Sequence, residues 1–340
     1  MRRPRYPGRN PRAFHQKYKE LQPERYAGEV EKVLRAGKTP AGMHRSILLD
    51  EVLRVLAPAP GEVAVDCTLG YGGHARSLLE RLAPGGRLLG LDVDPVELPR
   101  TEARLRAAGF GDDVFLTDRT NFAGLPQALA RHGLAAADVV LADLGVSSMQ
   151  IDDPDRGFTF KVDAPLDMRL NPRQGAPASE RLARASAADV ATWLRDFADE
   201  PLAEPIAAAV AGRAFATSTA LAEAVREVVR RASPRADETA SARTVRRVFQ
   251  AVRIAVNDEL GALDALLRHL PACLAPGGRV AVLTFHSGED RRVKKAFQAG
   301  LRAGVYEAVS DDVIRATPAE VAANPRAASA KLRWARRAVR

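Results

Sequence analysis

The sequence predicts an α/β protein: a Rossmann-like, mostly parallel sheet interrupted by an all-helical insertion. Three observations predict it. Four short apolar runs alternate with helical segments between residues 63 and 142, the alternation then stops for about a hundred residues, and it returns with a fifth apolar run at 280–285. Strand–helix alternation of this kind builds a parallel sheet with helices on both faces.

Residues 1–43 are rich in Pro, Gly and basic side chains and show neither a helical nor a strand period. They read as a basic N-terminal extension, partly disordered when unbound, with a short helix at 29–36. From His44 the pattern changes. Ile47, Leu48, Leu49, Val52, Leu53 and Leu56 recur at helical spacing, and Pro58 ends that helix. The four strands are Val63-Ala-Val65, Leu88-Leu-Gly-Leu91, Val114-Phe-Leu116 and Val139-Val-Leu-Ala142, with helices expected at 73–83, 95–108 and 122–132.

After Asp143, residues 150–176 read as a loop rich in Asp, Pro, Gly and Arg, and 178–250 as helices. Ser186 and Asp189 form a capping box ahead of Val190, Trp193 and Leu194. Thr219 is expected to cap a helix bearing Leu221, Val225, Val228 and Val229. Residues 150–249 are therefore an inserted helical domain, and 44–149 with 250–340 form the core. One long helix is expected from Thr244 to Leu274, then a turn at Pro276-Gly-Gly278 and the strand Val280–Phe285. Tyr306–Val309 and Ala330–Trp334 supply the last strands.

A chain of 340 residues with 46% hydrophobic and 27% charged content buries a full core. No apolar run approaches the roughly 18 residues a membrane span needs, and the Arg-rich start has no secretory pattern. Cys67 and Cys273 are far apart and give neither a disulfide framework nor a metal cluster. They read as buried thiols of a cytoplasmic protein that binds no metal. The net charge of +9 is uneven: residues 1–43 hold eleven Lys and Arg against four Glu. Arg326, Lys331, Arg333, Arg336, Arg337 and Arg340 close the chain, with no acid after Glu320. Two basic ends on a near-neutral body suggest a polyanion, against the plainer reading of solubilising tails. Binding by such ends would release counterions and weaken with salt.

The sharpest local signal is Val65-Asp66-Cys67-Thr68-Leu69-Gly70-Tyr71-Gly72-Gly73-His74, which follows the first strand and opens a helix. Its glycines let the backbone turn tightly and approach a ligand. Gly70-x-Gly72-x-x-Ala75, with Asp92 as the ribose acid, also fits a dinucleotide fingerprint. Asp66 speaks against a pyrophosphate, which it would repel, and for the ammonium of a methionine moiety. Asp143 ends the fourth strand in Leu141-Ala142-Asp143-Leu144-Gly145-Val146-Ser147-Ser148. Ligands of such sheets sit at the carboxyl ends of the strands. Acids after strands one, two and four of a basic protein thus suit a cationic cofactor, S-adenosylmethionine, and an anionic polymer.

At these residues the sequence resembles the ribosomal small-subunit RNA (cytosine-N4)-methyltransferases. The resemblance runs from about His44 to Arg337. It is carried by the loop at 66–74, by Asp143–Ser148, by Arg156-Gly-Phe-x-Phe160 leading into Asp163–Arg169, and by Phe249-Gln-Ala-x-Arg-Ile254. Val256-Asn257-x-Glu259-Leu260, Phe285-His-Ser287 with Glu289-Asp-Arg291, Asn324-Pro-Arg326 and Ser329–Arg333 complete it. Gly288 stands where the family has a bulky apolar residue, and the 43-residue arm has no counterpart in the family pattern. The resemblance implies a class I methyltransferase core with a helical domain inserted after the fourth strand. It implies that Gly72, Gly73, His74, Asp92, Phe122, Asp143 and Gln150 contact S-adenosylmethionine. It also implies N4-methylation of a cytidine in the decoding region of small-subunit (16S) ribosomal RNA. The alternatives are a methyltransferase acting on another nucleic acid and a non-catalytic RNA-binding ribosome assembly factor.

Asp143, or a backbone carbonyl of 143–146, is the candidate acceptor of the amine hydrogen. His286 is the second catalytic candidate, set against a histidine that only satisfies backbone groups. Phe158 and Phe160 could stack on an extruded base or alternate as half-buried rings. Arg243, Arg246, Arg247 and Arg253 share helical spacing and could meet phosphate or pair with acids; Arg246 and Arg247 are the candidates for RNA contact. Expected partners are small-subunit ribosomal RNA or a ribosomal particle, with no membrane; a homodimer is left open.

Overall fold

A computed structural model describes residues 46–235 and 237–339. The basic extension and the helix expected at 29–36 lie outside the described residues. The first half of the core contains α1 (Leu49–Leu56), β1 (Val63–Asp66), α2 (Gly73–Leu82), β2 (Arg87–Leu91) and α3 (Glu97–Ala107). It continues through β3 (Phe115–Asp118), a 3-10 turn at Phe122–Gly124, α4 (Leu125–Arg131) and β4 (Ala137–Asp143). Then come α5 (Ser148–Asp152) and five helices: α6 (Ala178–Arg184), α7 (Ala187–Ala198), α8 (Ala203–Val210), α9 (Ser218–Ala232) and α10 (Glu238–Asn257). The chain returns to the sheet through α11 (Glu259–Cys273), β5 (Leu274–Thr284), α12 (Ser287–Arg302), β6 (Tyr306–Val309), α13 (Pro318–Ala323) and β7 (Lys331–Arg337).

The seven strands run in the order β3-β2-β1-β4-β5-β7-β6. The first five are parallel and β7 is antiparallel to both neighbours. This is the mostly parallel α/β sheet that the alternation predicts. Both faces are covered because successive residues point to opposite sides. Val65, Leu89, Val140 and Val282 pack with α4, α11 and α12, whereas Ala64, Leu88, Leu141 and Leu283 pack with α1 and α2. The helices α6–α10 bury a separate apolar cluster that includes Leu182, Leu194, Ile206, Leu221 and Val248.

Several expectations are corrected. The helix expected from Thr244 to Leu274 is two helices, broken where Asp258 adopts a left-handed conformation (φ 49°). Asp tolerates that conformation better than most residues. The turn at Pro276-Gly-Gly278 lies within β5, where the register against β4 slips between Ala137 and Val139. Thr217, not Thr219, caps α9: its Oγ1 accepts from the Ala220 amide at 3.3 Å, while Thr219 bonds Asp163. The loop expected from 150 begins as α5, whose capping box joins Ser147 and Gln150.

Much of the basic end is the interior strand β7, and three of its cations are paired with acids. Lys331 and Arg333 meet Asp290 at 3.3 and 2.6 Å, and Arg336 meets Glu307 at 2.9 Å. Among the described residues no helix is long and apolar enough to cross a membrane.

Candidate active site

The site is built at the carboxyl ends of β2, β1 and β4, which lie side by side. Asp66 ends β1 and turns inward, where its Oδ1 accepts from the Thr68 amide at 3.0 Å. Thr68 Oγ1 in turn accepts from the Asp143 amide at 2.7 Å, which ties the tip of β1 to the tip of β4. Asp92, just beyond β2, accepts from the Gly70 amide at 2.8 Å and from the Asp94 amide at 2.9 Å. The loop between β1 and α2 is thus held by the carboxylates of Asp66 and Asp92 and by the backbone amide of Asp143.

Its glycines answer to that confinement. Gly72 sits at φ 84°, and a Cβ there would come 2.8 Å from Thr101 Cγ2. A Cβ on Gly73 would come 2.3 Å from Ser46 Oγ.

A cavity of about 470 Å³ opens above this loop, a size that suits a small-molecule ligand. Gly72, Gly73, His74, Asp92, Phe122, Asp143 and Gln150 all line it. Asp66 does not: it is 1% exposed and lies beneath the loop as its support. Gln150 donates to Asp94 Oδ2 at 2.9 Å.

The electrostatics follow from burial. Burial pushes the Asp143 carboxyl up to about 8, with Asp66 and Glu289 adding to the shift. Burial, reinforced by Asp92, pushes Asp66 up to about 7 against its bonds from Thr68. Asp92 rises to about 6 for the same first reason, opposed by the Asp94 and Gly70 amides. Burial lowers His74 to about 4. His74 Nε2 lies 3.1 Å from the Ile47 carbonyl, an acceptor only, so Nε2 carries the proton. The Nδ1 lone pair then faces Asp143 Oδ2 at 3.5 Å. Asp143 Oδ1 is buried with no hydrogen-bond partner. A cavity-lining carboxyl with one oxygen left unpartnered, among groups that resist ionisation, is what a cationic ligand would satisfy. The residues present therefore fit S-adenosylmethionine.

A second charged group lines the same cavity. Arg253 donates from Nε and Nη2 to the two oxygens of Glu259, both at 2.8 Å. Glu259 returns to Arg253 because the chain reverses at Asp258. Glu289 is 3% exposed and its Oε2 accepts from the Phe285 amide at 2.8 Å. Burial raises its proton affinity, but His286, that amide and Arg253 outweigh burial and hold it below the ordinary carboxylate value.

The remaining candidates lie elsewhere. His286 stands at the end of β5 with Nε2 3.1 Å from Glu289 Oε1 and does not line the cavity. Phe158 and Phe160 belong to the apolar cluster of the helical unit. Phe160 meets Phe249 edge-on at 5.1 Å, so half-buried alternation is the reading the structure favours over an open stacking platform. Arg247 lies 3.6 Å from buried Glu200 while remaining partly exposed, and Arg253 pairs with Glu259, as the alternative of pairing with acids has it. Arg243 and Arg246 are exposed.

Sequence reasoning also missed Asp94. It is fully buried and receives Gln150, Arg156 at 2.8 Å, and the amides of Val96 and Glu97. The Asp-Val-Asp spacing after the second strand was the available signal.

The family model described as the MraW methylase family matches residues 41–338. A curated relative from Lachnoclostridium phytofermentans, named ribosomal RNA small subunit methyltransferase H 1, is 49% identical, covering 98% of this chain and 92% of its own. One of the same name from Agathobacter rectalis is 46% identical, covering 99% and 97%. Ribosomal RNA small subunit methyltransferase H from Thioalkalivibrio sulfidiphilus is 42% identical over 88% of this chain and 98% of its own. Coverage of 98% and 99% reaches into the basic arm, so that arm does have a counterpart in some relatives. By descent and by the motifs that shape its cavity, the chain belongs to the MraW methylase family.

Proposed function

We propose that this protein transfers a methyl group from S-adenosylmethionine to the N4 amine of a cytidine in the decoding region of small-subunit ribosomal RNA. One observation carries the reading: Asp143, which lines the cavity, has a buried oxygen without a hydrogen-bond partner, and Asp92 on the same cavity also resists ionisation. The names of the curated relatives, which are ribosomal RNA small subunit methyltransferases, supply the substrate class. When bound, the cofactor supplies a methyl carbon on a positively charged sulfur, which leaves as a neutral thioether.

The chain's own part is to bind, orient and accept a proton. Gly72 and Gly73 bring backbone against the cofactor, and Asp92 receives its ribose hydroxyls. The N4 lone pair of cytosine is delocalised into the ring and is a poor nucleophile. It gains strength if an acceptor holds an amine hydrogen as positive charge builds on nitrogen. Asp143 is that acceptor. It becomes ionised once a sulfonium lies beside it, because a nearby cation lowers a carboxyl's proton affinity. The bound cofactor would supply the methyl carbon to N4 and keep the carbon–sulfur bonding pair on its sulfur. The amine proton then passes to Asp143 and from there to solvent. Alignment supplies much of the remaining rate. Residues 150–249 serve as the unit that recognises the RNA.

Mass mapping of ribosomal RNA nucleosides from cells with and without this protein tests the assignment. Loss of N4-methylcytidine in its absence is expected. An unchanged nucleoside map would end it in favour of an assembly role, and loss of a methyl group from another nucleic acid would move the substrate. In purified protein, Asp143→Ala should abolish methyl incorporation while the fold survives. Near wild-type turnover would rule out the side chain as acceptor.

A further inference from the structure

Arg253 and Glu289 line the same cavity as Asp92 and Asp143. Arg253 spends Nε and Nη2 on Glu259, which leaves Nη1 without an acceptor among the described residues and fixes the guanidinium plane. Glu289 is fastened by the Phe285 amide and by His286, and it is among the residues lining the cavity. Asp143, Glu289 and Arg253 line the same cavity, and Glu289 is near enough to act electrostatically on both of the others. Two acids and a guanidinium therefore share that lining.

We propose that Glu289 and Arg253 read the Watson–Crick edge of the target cytosine, Glu289 accepting the second N4 hydrogen and Arg253 Nη1 donating to N3. The inference rests on the cytidine reading and deepens it. Cytosine offers two amine hydrogens at N4 and an acceptor at N3, which matches an acid beside a guanidinium. Uracil inverts both: its O4 would face carboxylates and its N3–H would face a cation. A site whose polar groups would be left unpaired rejects the wrong base far more strongly than a shape mismatch does. Glu259 is then a positioning residue, since it acts only through Arg253.

The test uses substrate and protein changes together. Small-subunit particles are reconstituted with 3-deazacytidine at the target position, which keeps the N4 amine and removes the N3 acceptor. Wild-type kcat/KM should fall about 10- to 100-fold, the usual range for one directed base contact. The paired change Arg253→Met with Glu259→Met removes both partners of a buried ion pair, which proteins often tolerate. This variant should bind S-adenosylhomocysteine within about two-fold of wild type, lose turnover on cytidine, and lose no more than about two-fold further on the deaza substrate. Equal wild-type rates on the two bases would overturn the proposal, as would a variant as sensitive to the deaza change as wild type. If the variant does not fold, the wild-type comparison decides alone. If wild type makes no N4-methylcytidine on unmodified particles, the reading beneath falls as well.

Discussion

Asp143 is the residue on which most of the chemistry converges, and its environment makes a prediction about pH. Its carboxyl is pushed up to about 8, so in the ligand-free protein it is largely protonated at neutral pH. A raised folded value means the folded state gains from protonation. That gain is complete below the ordinary carboxyl value near 4 and is lost as pH rises through about 8. Asp143→Asn cannot ionise, so its stability should improve relative to wild type as pH rises from about 4 to about 8 and level off above that, read as the difference in Tm across that range. Ligand binding should show the mirror image. Affinity for S-adenosylmethionine should rise with pH over the same window by up to about tenfold per unit for one linked proton, while affinity for neutral S-adenosylhomocysteine changes less. Calorimetry with both ligands at several pH values checks this, and parallel profiles would count against a carboxylate facing the sulfonium.

The acids themselves were legible, because each closes an apolar run. Their orientations were not: that Asp66 turns under the loop while Asp143 faces the cavity depends on the path of the backbone after each strand. Glu289, quoted from the sequence as part of a motif, bonds the Phe285 amide as a helix-start acid would. Nothing in its spacing says that it also faces a cavity.

Among the elements, the joint between the sheet and the helical unit rests on few residues. Arg156 reaches Asp94 and also donates to the carbonyls of Arg169 and Leu170, at 3.2 and 2.8 Å. Asn257 closes the other side, accepting from the Leu170 amide and donating to the Met168 carbonyl, both at 2.8 Å. Asp94→Ala leaves the Arg156 guanidinium buried without its partner, which should cost about 3–5 kcal/mol. Denaturant titration measures it, and a change below about 1 kcal/mol would mean that the joint is held elsewhere. Strands and helices were readable from period alone because their apolar faces are continuous. The break at Asp258 was not, since both flanking helices keep the same apolar phase and only one residue's backbone conformation separates them.

For the molecule as a whole, charge placement differs from what the sequence suggested. Lys331, Arg333 and Arg336 of β7 are paired with Asp290 and Glu307, so they offer less to a polyanion than their number suggests. The exposed cations on α10, Arg243 and Arg246, are better placed for one. Changing both to Gln should lower the magnitude of the salt slope of RNA binding by about 1–2 without altering affinity for S-adenosylhomocysteine. Arg247→Gln serves as the contrast. It should leave the slope unchanged and lower stability, because Glu200 would remain buried without its cation. An equal slope change in both proteins would assign phosphate contact to Arg247 as well.

The helical unit leaves the sheet after β4 and comes back at β5, and these two strands are hydrogen-bonded neighbours. Its points of departure and return are thus close in space, as in a side branch on a trunk. Selection, or a protein engineer, can graft a different branch there without re-threading the trunk, provided the Asp94 and Asn257 joints are kept. The chemistry that delivers the methyl group and the surface that chooses where it goes can then change at separate tempos.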